Sequence, residues 1–399
     1  MANTLNLGDG NWATKEDLLL GYNSENNNFK PLPFNFSRGS NATVVNKDGL
    51  IETVGRKQAR IDYKDNTKGA LLLEPSRSNF IQNSSNLTTW NGAAMTRTFV
   101  DNLINPSNVL GGSKLTQTSS GGYAWLSRTF TGNETFSAFV KKDSSNFVRL
   151  YAANNNVFFD IVNGTIETEV GSDITDKSII NYGNGWFRIS ISVNSTAASY
   201  VRIYPASSGT SSIGTNSLFV YGAQLEQGYA TSYIPTQGSV VTRLADNAYQ
   251  QGVTQVIGQS EGTMYIDFIP KSKDDFQILY QIRTTGNSNV GVIDIRLQSG
   301  NITALGNDGG SDQFFINGTY FDVGTRYKCA IRYKQNDVAF YINGVLIGTD
   351  LFASFSSSSK NQVSFGANLT SFLPIANIID AKLYNNGLSD SELQALTTI

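Results

Sequence analysis

Glu167 and Glu169, in the run Thr165-Ile166-Glu167-Thr168-Glu169, are the carboxylates whose spacing best suits a general acid and base. On an extended strand residues i and i+2 share a face about 6.6 Å apart, within the roughly 5–9.5 Å that separates the carboxyl pairs of glycoside hydrolysis. A solvated outer strand face shows the same spacing, and no Glu-x-Asp-x-Glu cluster accompanies it. Asp274, Asp275 and Asp294 offer less still. The outer-face reading is preferred, so no catalytic residue is assigned and the chain is expected not to be an enzyme.

Absences close off other chemistry. With no histidine there is no Ser-His-Asp or Cys-His nucleophile and no His-ligated zinc, iron or copper. The single cysteine, Cys329, forms no intrachain disulfide and leaves the redox compartment open. Calcium is the one cofactor with a candidate loop, because Asn307-Asp308-Gly309-Gly310-Ser311-Asp312 offers carboxylates between permissive glycines. That loop alone does not reach the ligand number calcium takes, so no metal residue is assigned.

Sugar binding needs aromatic platforms beside neutral hydrogen-bonding groups. In Gly121-Gly122-Tyr123-Ala124-Trp125 the two aromatics are two apart and share a strand face, and Trp90 sits beside Asn91-Gly92. Tyr123, Trp125 and Trp90 are the candidate carbohydrate-binding residues; the competing reading makes Trp90 and Trp125 core anchors. Trp186 is assigned to the core or its edge, and Glu226 with Arg188 or Arg202 to a structural pair.

The elements that hold these groups read as β throughout. Residues 186–193, WFRISISV, alternate apolar and polar, which marks a strand with one buried face. Asn343-Gly344 between Val338-Ala339-Phe340-Tyr341-Ile342 and Val345-Leu346-Ile347 signals a two-residue hairpin. Ser389-Asp390-Ser391-Glu392 reads as a capping box opening one C-terminal helix, with Leu393 and Leu396 toward the sandwich. Three blocks emerge: an extended segment at 1–37, and β-sandwiches at 38–250 and 258–399. The sandwiches align coarsely, as FFDIVNGTIETE from Phe158 answers IDIRLQSGNITAL from Ile293, and WFRISISV answers YKCAIRYK. The fold class is all-β, two tandem antiparallel jelly-roll or lectin-like sandwiches behind an extended segment.

Composition agrees. Lys+Arg number 30 and Asp+Glu 32, a net charge of −2 over 399 residues, and charged residues are 16% of the chain. Ordinary globular domains carry about 25%. Asn, Ser, Thr, Gln and 37 glycines supply the polarity instead, suited to β turns and to neutral partners. No nucleic-acid partner is expected at this charge. No apolar run nears the roughly 18 residues of a membrane span, and the N-terminus lacks the pattern of a secretory signal.

Three groups of residues resemble known proteins. FNFSRGSNATVVNKDGLIETVG (34–55), ARIDY (59–63) and LLLEPSRSN (71–79), closed by GNGWFR (183–188) and YGAQLEQGYATSYIPT (221–236), resemble a module of bacteriophage virion and tail-associated proteins. FYINGVLIGT (340–349) with AKLYNNGLSDSELQAL (381–396) resembles the ending of concanavalin A-like or laminin G-like lectin sandwiches. The resemblance implies a virion surface protein of head fibre, spike or tail fibre type, homotrimeric, assembled in the host cytoplasm and bound to other virion proteins. Its N-terminal segment, with Phe29, Pro31, Pro33 and Phe34, would attach to the virion while the sandwiches engage host surface glycans. A capsid decoration protein and a virion-associated polysaccharide-degrading enzyme are the alternatives.

Overall fold

The computed structural model describes the chain except for residues 1–4, 8–9, 16–17, 24–26, 32–33, 274–275, 287–289, 356–358 and 367–371. Among the described residues the fold is all-β in antiparallel sheets, with one α-helix, Asp390–Thr397. The chain forms two compact units. The first comprises Ala42–Thr53 with Arg77–Arg243, and the second Met1–Asn41 with Val54–Ser76 and Leu244–Ile399.

This division departs from the contiguous boundaries read at 1–37, 38–250 and 258–399. The reason lies in strand pairing. Arg60–Asp62 and Ala70–Leu73 extend the sheet of Ala376–Tyr384, so Leu71 and Leu73 enter the second unit's core. Leu5–Asn6 pairs with that same Ala376–Tyr384 strand, and Asn35–Ser37 with Asn247–Gln251. The N-terminal segment is not the extended strap its sequence suggests: Trp12–Lys15, Leu18–Asn23 and Asn28–Pro31 pair into a three-stranded antiparallel sheet, and Leu5, Leu7, Trp12, Leu19 and Phe34 belong to the second unit's core. Trp12 fixes it further, its indole Nε1 donating to the Ile379 carbonyl at 2.7 Å.

In the first unit two six-stranded sheets enclose the core. Gly132–Lys142 lies between Ser217–Gln227 and Trp186–Ser195 in one sheet. The other runs in the order Asn91–Ala93, Tyr123–Thr129, Ala198–Ala206, Phe147–Ala152, Asn155–Asp160, Thr165–Val170. Phe187, Ile189, Ile191 and Val193 face the core, as the alternation requires. Trp186, on the opposite face, is buried with Phe139, Tyr233, Ile51 and Leu103.

The second unit repeats this order. Glu261–Pro270 lies between Ala376–Tyr384 and Tyr327–Lys334. Its other sheet runs Asn247–Gln251, Gln362–Phe365, Phe276–Arg283, Val292–Gln298, Asn301–Asp308, flanked by Asn35–Ser37 and Ser311–Tyr320. The central strands keep the first unit's order, which gives the coarse internal alignment a structural basis; the edges differ, since Ile174–Asn181 precedes its partner Trp186–Ser195 whereas Val338–Ile342 follows Tyr327–Lys334.

The local signals hold. Asn343 and Gly344 have φ of 50° and 80°, the left-handed pair that a type I′ turn needs, and Ile342 pairs with Val345 across it. The Ser389 N–H donates to the Glu392 carboxylate at 2.7 Å, and Leu393 and Leu396 pack on the sandwich.

Residues behind the phage-module resemblance are structural. In the second unit Arg60 bridges Glu74, at 2.7 Å, and Asp246, which also receives Arg38 at 2.9 Å; all four are buried. In the first unit the Asn79 amide donates to the Ala223 and Ile234 carbonyls, and its oxygen accepts from the N–H groups of Ile81 and Leu225. Glu226, wholly buried, accepts from the Thr231 N–H and hydroxyl and from the Gln224 amide.

Candidate functional site

Tyr123 and Trp125 lie on the outer face of the first unit's Tyr123–Thr129 sheet. Ala124 and Leu126, their strand neighbours, point into the core, so alternation turns both aromatics outward. The adjoining strands repeat the device. Val201 and Ile203 face inward while Tyr200, Arg202 and Tyr204 face outward, and Leu150 is buried in the core between Arg149 and Tyr151.

Register then lines these side chains into rungs across the sheet. Trp125 is opposite Arg202, which is opposite Tyr151, which is opposite Asn156. The next rung contains Tyr204, Arg149 and Phe158. Cross-strand neighbours on one face stand about 4.5–5.5 Å apart, close enough for ring stacking.

Guanidinium groups and rings alternate over this face. Arg202 lies over three tyrosines, its Cζ 4.3 Å from the Tyr151 centroid, 4.7 Å from Tyr123 and 4.8 Å from Tyr200. Arg149 lies 4.4 Å from the Tyr204 centroid. Tyr123 stacks on Tyr204 at 4.7 Å, and Trp125 meets Tyr200 edge-on at 5.0 Å. Hydrogen bonds orient the group: Arg149 donates to Asn156 at 2.7 Å and to the Ser212 hydroxyl at 3.3 Å, and Arg202 donates to the Tyr204 hydroxyl at 3.1 Å. Among the described residues neither Arg149 nor Arg202 forms an ion pair. Burial pulls the Arg149 pKa down and pushes the Tyr204 phenol up. The result is an aromatic surface carrying two guanidinium groups, of which Tyr123, Trp125 and Tyr200 keep exposed area.

Trp90 does not join this face. It is 3% exposed, in the first unit's core, with its ring 6.2 Å from Phe136. The turn that follows it, Asn91-Gly92, begins an edge strand whose preceding residue points inward, so Trp90 is corrected from sugar platform to core anchor.

The remaining sequence candidates separate. Glu167 accepts from its neighbour Thr165 at 2.5 Å and Glu169 pairs with Lys177, both on the exposed edge strand Thr165–Val170. Gly309 and Gly310, at φ 62° and 85°, make the hairpin turn between Asp308 and Ser311, and Asp312 accepts from the Asn307 amide at 2.7 Å. Among the described residues no three acidic, Cys or His side chains converge. Of the attachment residues, Phe34 is buried against Phe365 at 5.4 Å, which withdraws it from any partner. Phe29 is exposed and meets Tyr22 edge-on at 5.3 Å, Pro31 ends the strand Asn28–Pro31, and Pro33 lies outside the described residues.

Arg149, Tyr151, Arg202 and Tyr204 were missed from sequence. FVRLYA and YVRIYP each carry the same alternation of apolar with Arg or Tyr, and that repeat is the signal that finds them.

No known protein family matches the sequence, and no curated protein matches it. Among solved structures, the CBM40 module of the Ruminococcus gnavus IT-sialidase bound to α2,3-sialyllactose shares 19% identity over 37% of this chain and 91% of its own, with a TM-score of 0.33. The NanB sialidase of Streptococcus pneumoniae shares 15% over 38% of this chain and 26% of its own, at 0.32. A SAP-like pentraxin of Limulus polyphemus shares 13% over 34% and 68%, at 0.28. At these values the likenesses assign nothing to individual residues.

Proposed function

We propose that this protein is a non-catalytic glycan-binding protein whose first sandwich holds an acidic saccharide on the Tyr123–Trp125–Arg202 face. One observation carries the reading: two guanidinium groups without carboxylate partners are interleaved with tyrosines and a tryptophan on one rigid sheet face. The rings supply platforms for the C–H faces of a sugar, and the guanidinium edges supply donors that match a carboxylate. The exposed, locally bonded Glu167 and Glu169 give no acid–base pair in a cleft, which supports a binding role over hydrolysis.

The setting we propose is the surface of a bacteriophage virion, where the glycan is that of the host cell. Its support is the sequence resemblance over 34–79 and 183–236. Within that setting the protein is a trimer of head fibre, spike or tail fibre type.

The test is a glycan array with the wild-type chain, Trp125→Ala and Arg202→Ala. Acidic glycans are expected to be retained by the wild type and lost at least tenfold by either variant, with melting temperatures held near the wild-type value. Retention by both variants, or no acidic glycan bound by the wild type, overturns the reading. The setting is tested by probing purified phage particles with antibody to the chain, and particles free of it would overturn that part.

A further inference from the structure

The corresponding sheet of the second unit bears a different surface. We infer that its outer face is a second, separate binding site, for an uncharged polyhydroxylated ligand of saccharide size. This goes beyond the first-unit reading and does not depend on it.

A groove of about 540 Å³ runs over the strands Phe276–Arg283, Val292–Gln298 and Asn301–Asp308. Small-molecule sites span roughly 300–1,000 Å³, so the groove is of ligand size. Ile293, Ile295 and Leu297 point into the core, which turns Asp294, Arg296 and Gln298 into the groove. On the neighbouring strand a β-bulge between Ile278 and Tyr280 places Leu279 and Tyr280 both inward. Gln281 and Arg283 are thereby brought to the same outer face as Phe276 and Ile278. Phe276 and Phe372 meet edge-on at 4.6 Å at one side, and the exposed Phe315 lies at the other.

Charge argues for a neutral occupant. The lining holds two guanidinium groups, Arg283 and Arg296, and two carboxylates, Asp294 and Asp312. Asp294 is committed: Arg296 forks onto it at 2.6 and 2.5 Å, and the Gln281 amide donates to it at 3.2 Å. Asp312 accepts from Asn307.

Hydrogen bonding argues for hydroxyls. Gln281 Oε1, Gln298 Oε1 and Asn307 Oδ1 line the groove, are buried from water, and have no partner among the described residues. Thr303, in the rung beside Arg296, and Gln362, in the rung beside Arg283, each add another such polar atom. Buried polar atoms are almost always satisfied, so a cluster of them around one groove implies a ligand that satisfies them together. Amide oxygens need donors, which an anionic group lacks. A hydroxyl both donates and accepts, so it serves these atoms in either orientation of the amides. The phenyl rings at the margins then meet the apolar face of a sugar ring.

The experiment places Trp125→Ala, which disables the first-unit face, in the full chain and probes it on an array of neutral and sialylated oligosaccharides. At least one neutral oligosaccharide is expected to be retained, with affinity falling tenfold or more on adding Gln298→Ala or Asn307→Ala. Both residues are partly exposed, and a melting temperature accompanies each variant. If one variant melts early, the other decides. Retention of no neutral oligosaccharide, retention of sialylated ones alone, or unchanged affinity in the folded groove variants overturns the inference. Loss of acidic-glycan binding with Trp125→Ala bears on the first-unit reading only, so the two fail separately.

Discussion

At the residue scale, a side chain's role here follows from the direction its strand gives it. Trp90 and Trp125 are the same residue type 35 positions apart, yet one is sealed in the core and the other lines a face of tyrosines. Trp90→Ala is expected to destabilise the first unit by about 3–5 kcal/mol, the usual loss for a buried large aromatic, seen as a lower urea midpoint. Trp125→Ala is expected to leave that midpoint nearly unchanged. Glu226 gives a pH signature. Burial raises its pKa above the ordinary glutamate value, against the pull of Arg188 and the Thr231 hydrogen bonds. A carboxyl with a raised folded-state pKa contributes stability that is complete below the unfolded value near 4.5 and is lost as pH rises through the folded value. Glu226→Gln, which stays neutral, is therefore expected to gain stability relative to the wild type between pH 4 and pH 8, read from paired denaturation curves. Legibility differs among these residues for a physical reason. Tyr123 and Trp125 declare their common face by period-two spacing, whereas Trp90 precedes a turn and has no alternating partner to orient it. Gln281 and Arg283 are hidden differently: in FQILYQIR simple alternation puts them on the face opposite Phe276, and only the bulge at Ile278–Tyr280 reverses that.

At the element scale, the hairpins and the final helix were readable because their signals are local. Asn343-Gly344 dictates a turn whatever surrounds it, and Ser389 with Glu392 satisfies a helix start within four residues. Removing that cap by Glu392→Ala is expected to destabilise by about 1 kcal/mol, detected as faster amide exchange across the helix. The strands Arg60–Asp62 and Ala70–Leu73 were assigned to the wrong sandwich, since short apolar runs carry no mark of which sheet receives them. Their anchoring is nonetheless electrostatically explicit. Arg60 is fully buried, and although burial works against its charge, Asp246 and Glu74 more than offset that and raise its pKa. Asp246→Ala removes the carboxylate shared by the buried Arg38 and Arg60 and is expected to cost about 3–5 kcal/mol, measured as a loss of second-unit stability.

At the scale of the whole molecule, two units that share their central strand order present two chemically distinct faces on corresponding sheets. One is cationic and aromatic; the other is charge-balanced and rich in amides. Strand alternation permits this, because one face can differ while the core face is kept. Deleting residues 1–37 tests the N-terminal assignment. A free tail could be removed without effect, whereas loss of Leu5, Leu7, Trp12, Leu19 and Phe34 is expected to expose second-unit apolar surface, read as dye binding and early melting of that unit.

Arg77 and Arg243, where the longer piece of the first unit begins and ends, are register partners in a two-stranded ladder. A segment whose ends already meet is a cassette: it can be lifted out and its ends closed without stretching the chain. What it leaves behind is the hairpin of residues 42–53, whose Ile51 packs with Leu103, Phe139, Trp186 and Tyr233. Excised in this way, residues 77–243 are expected to bind a synthetic peptide of residues 42–53 added in trans, read as a rise in melting temperature.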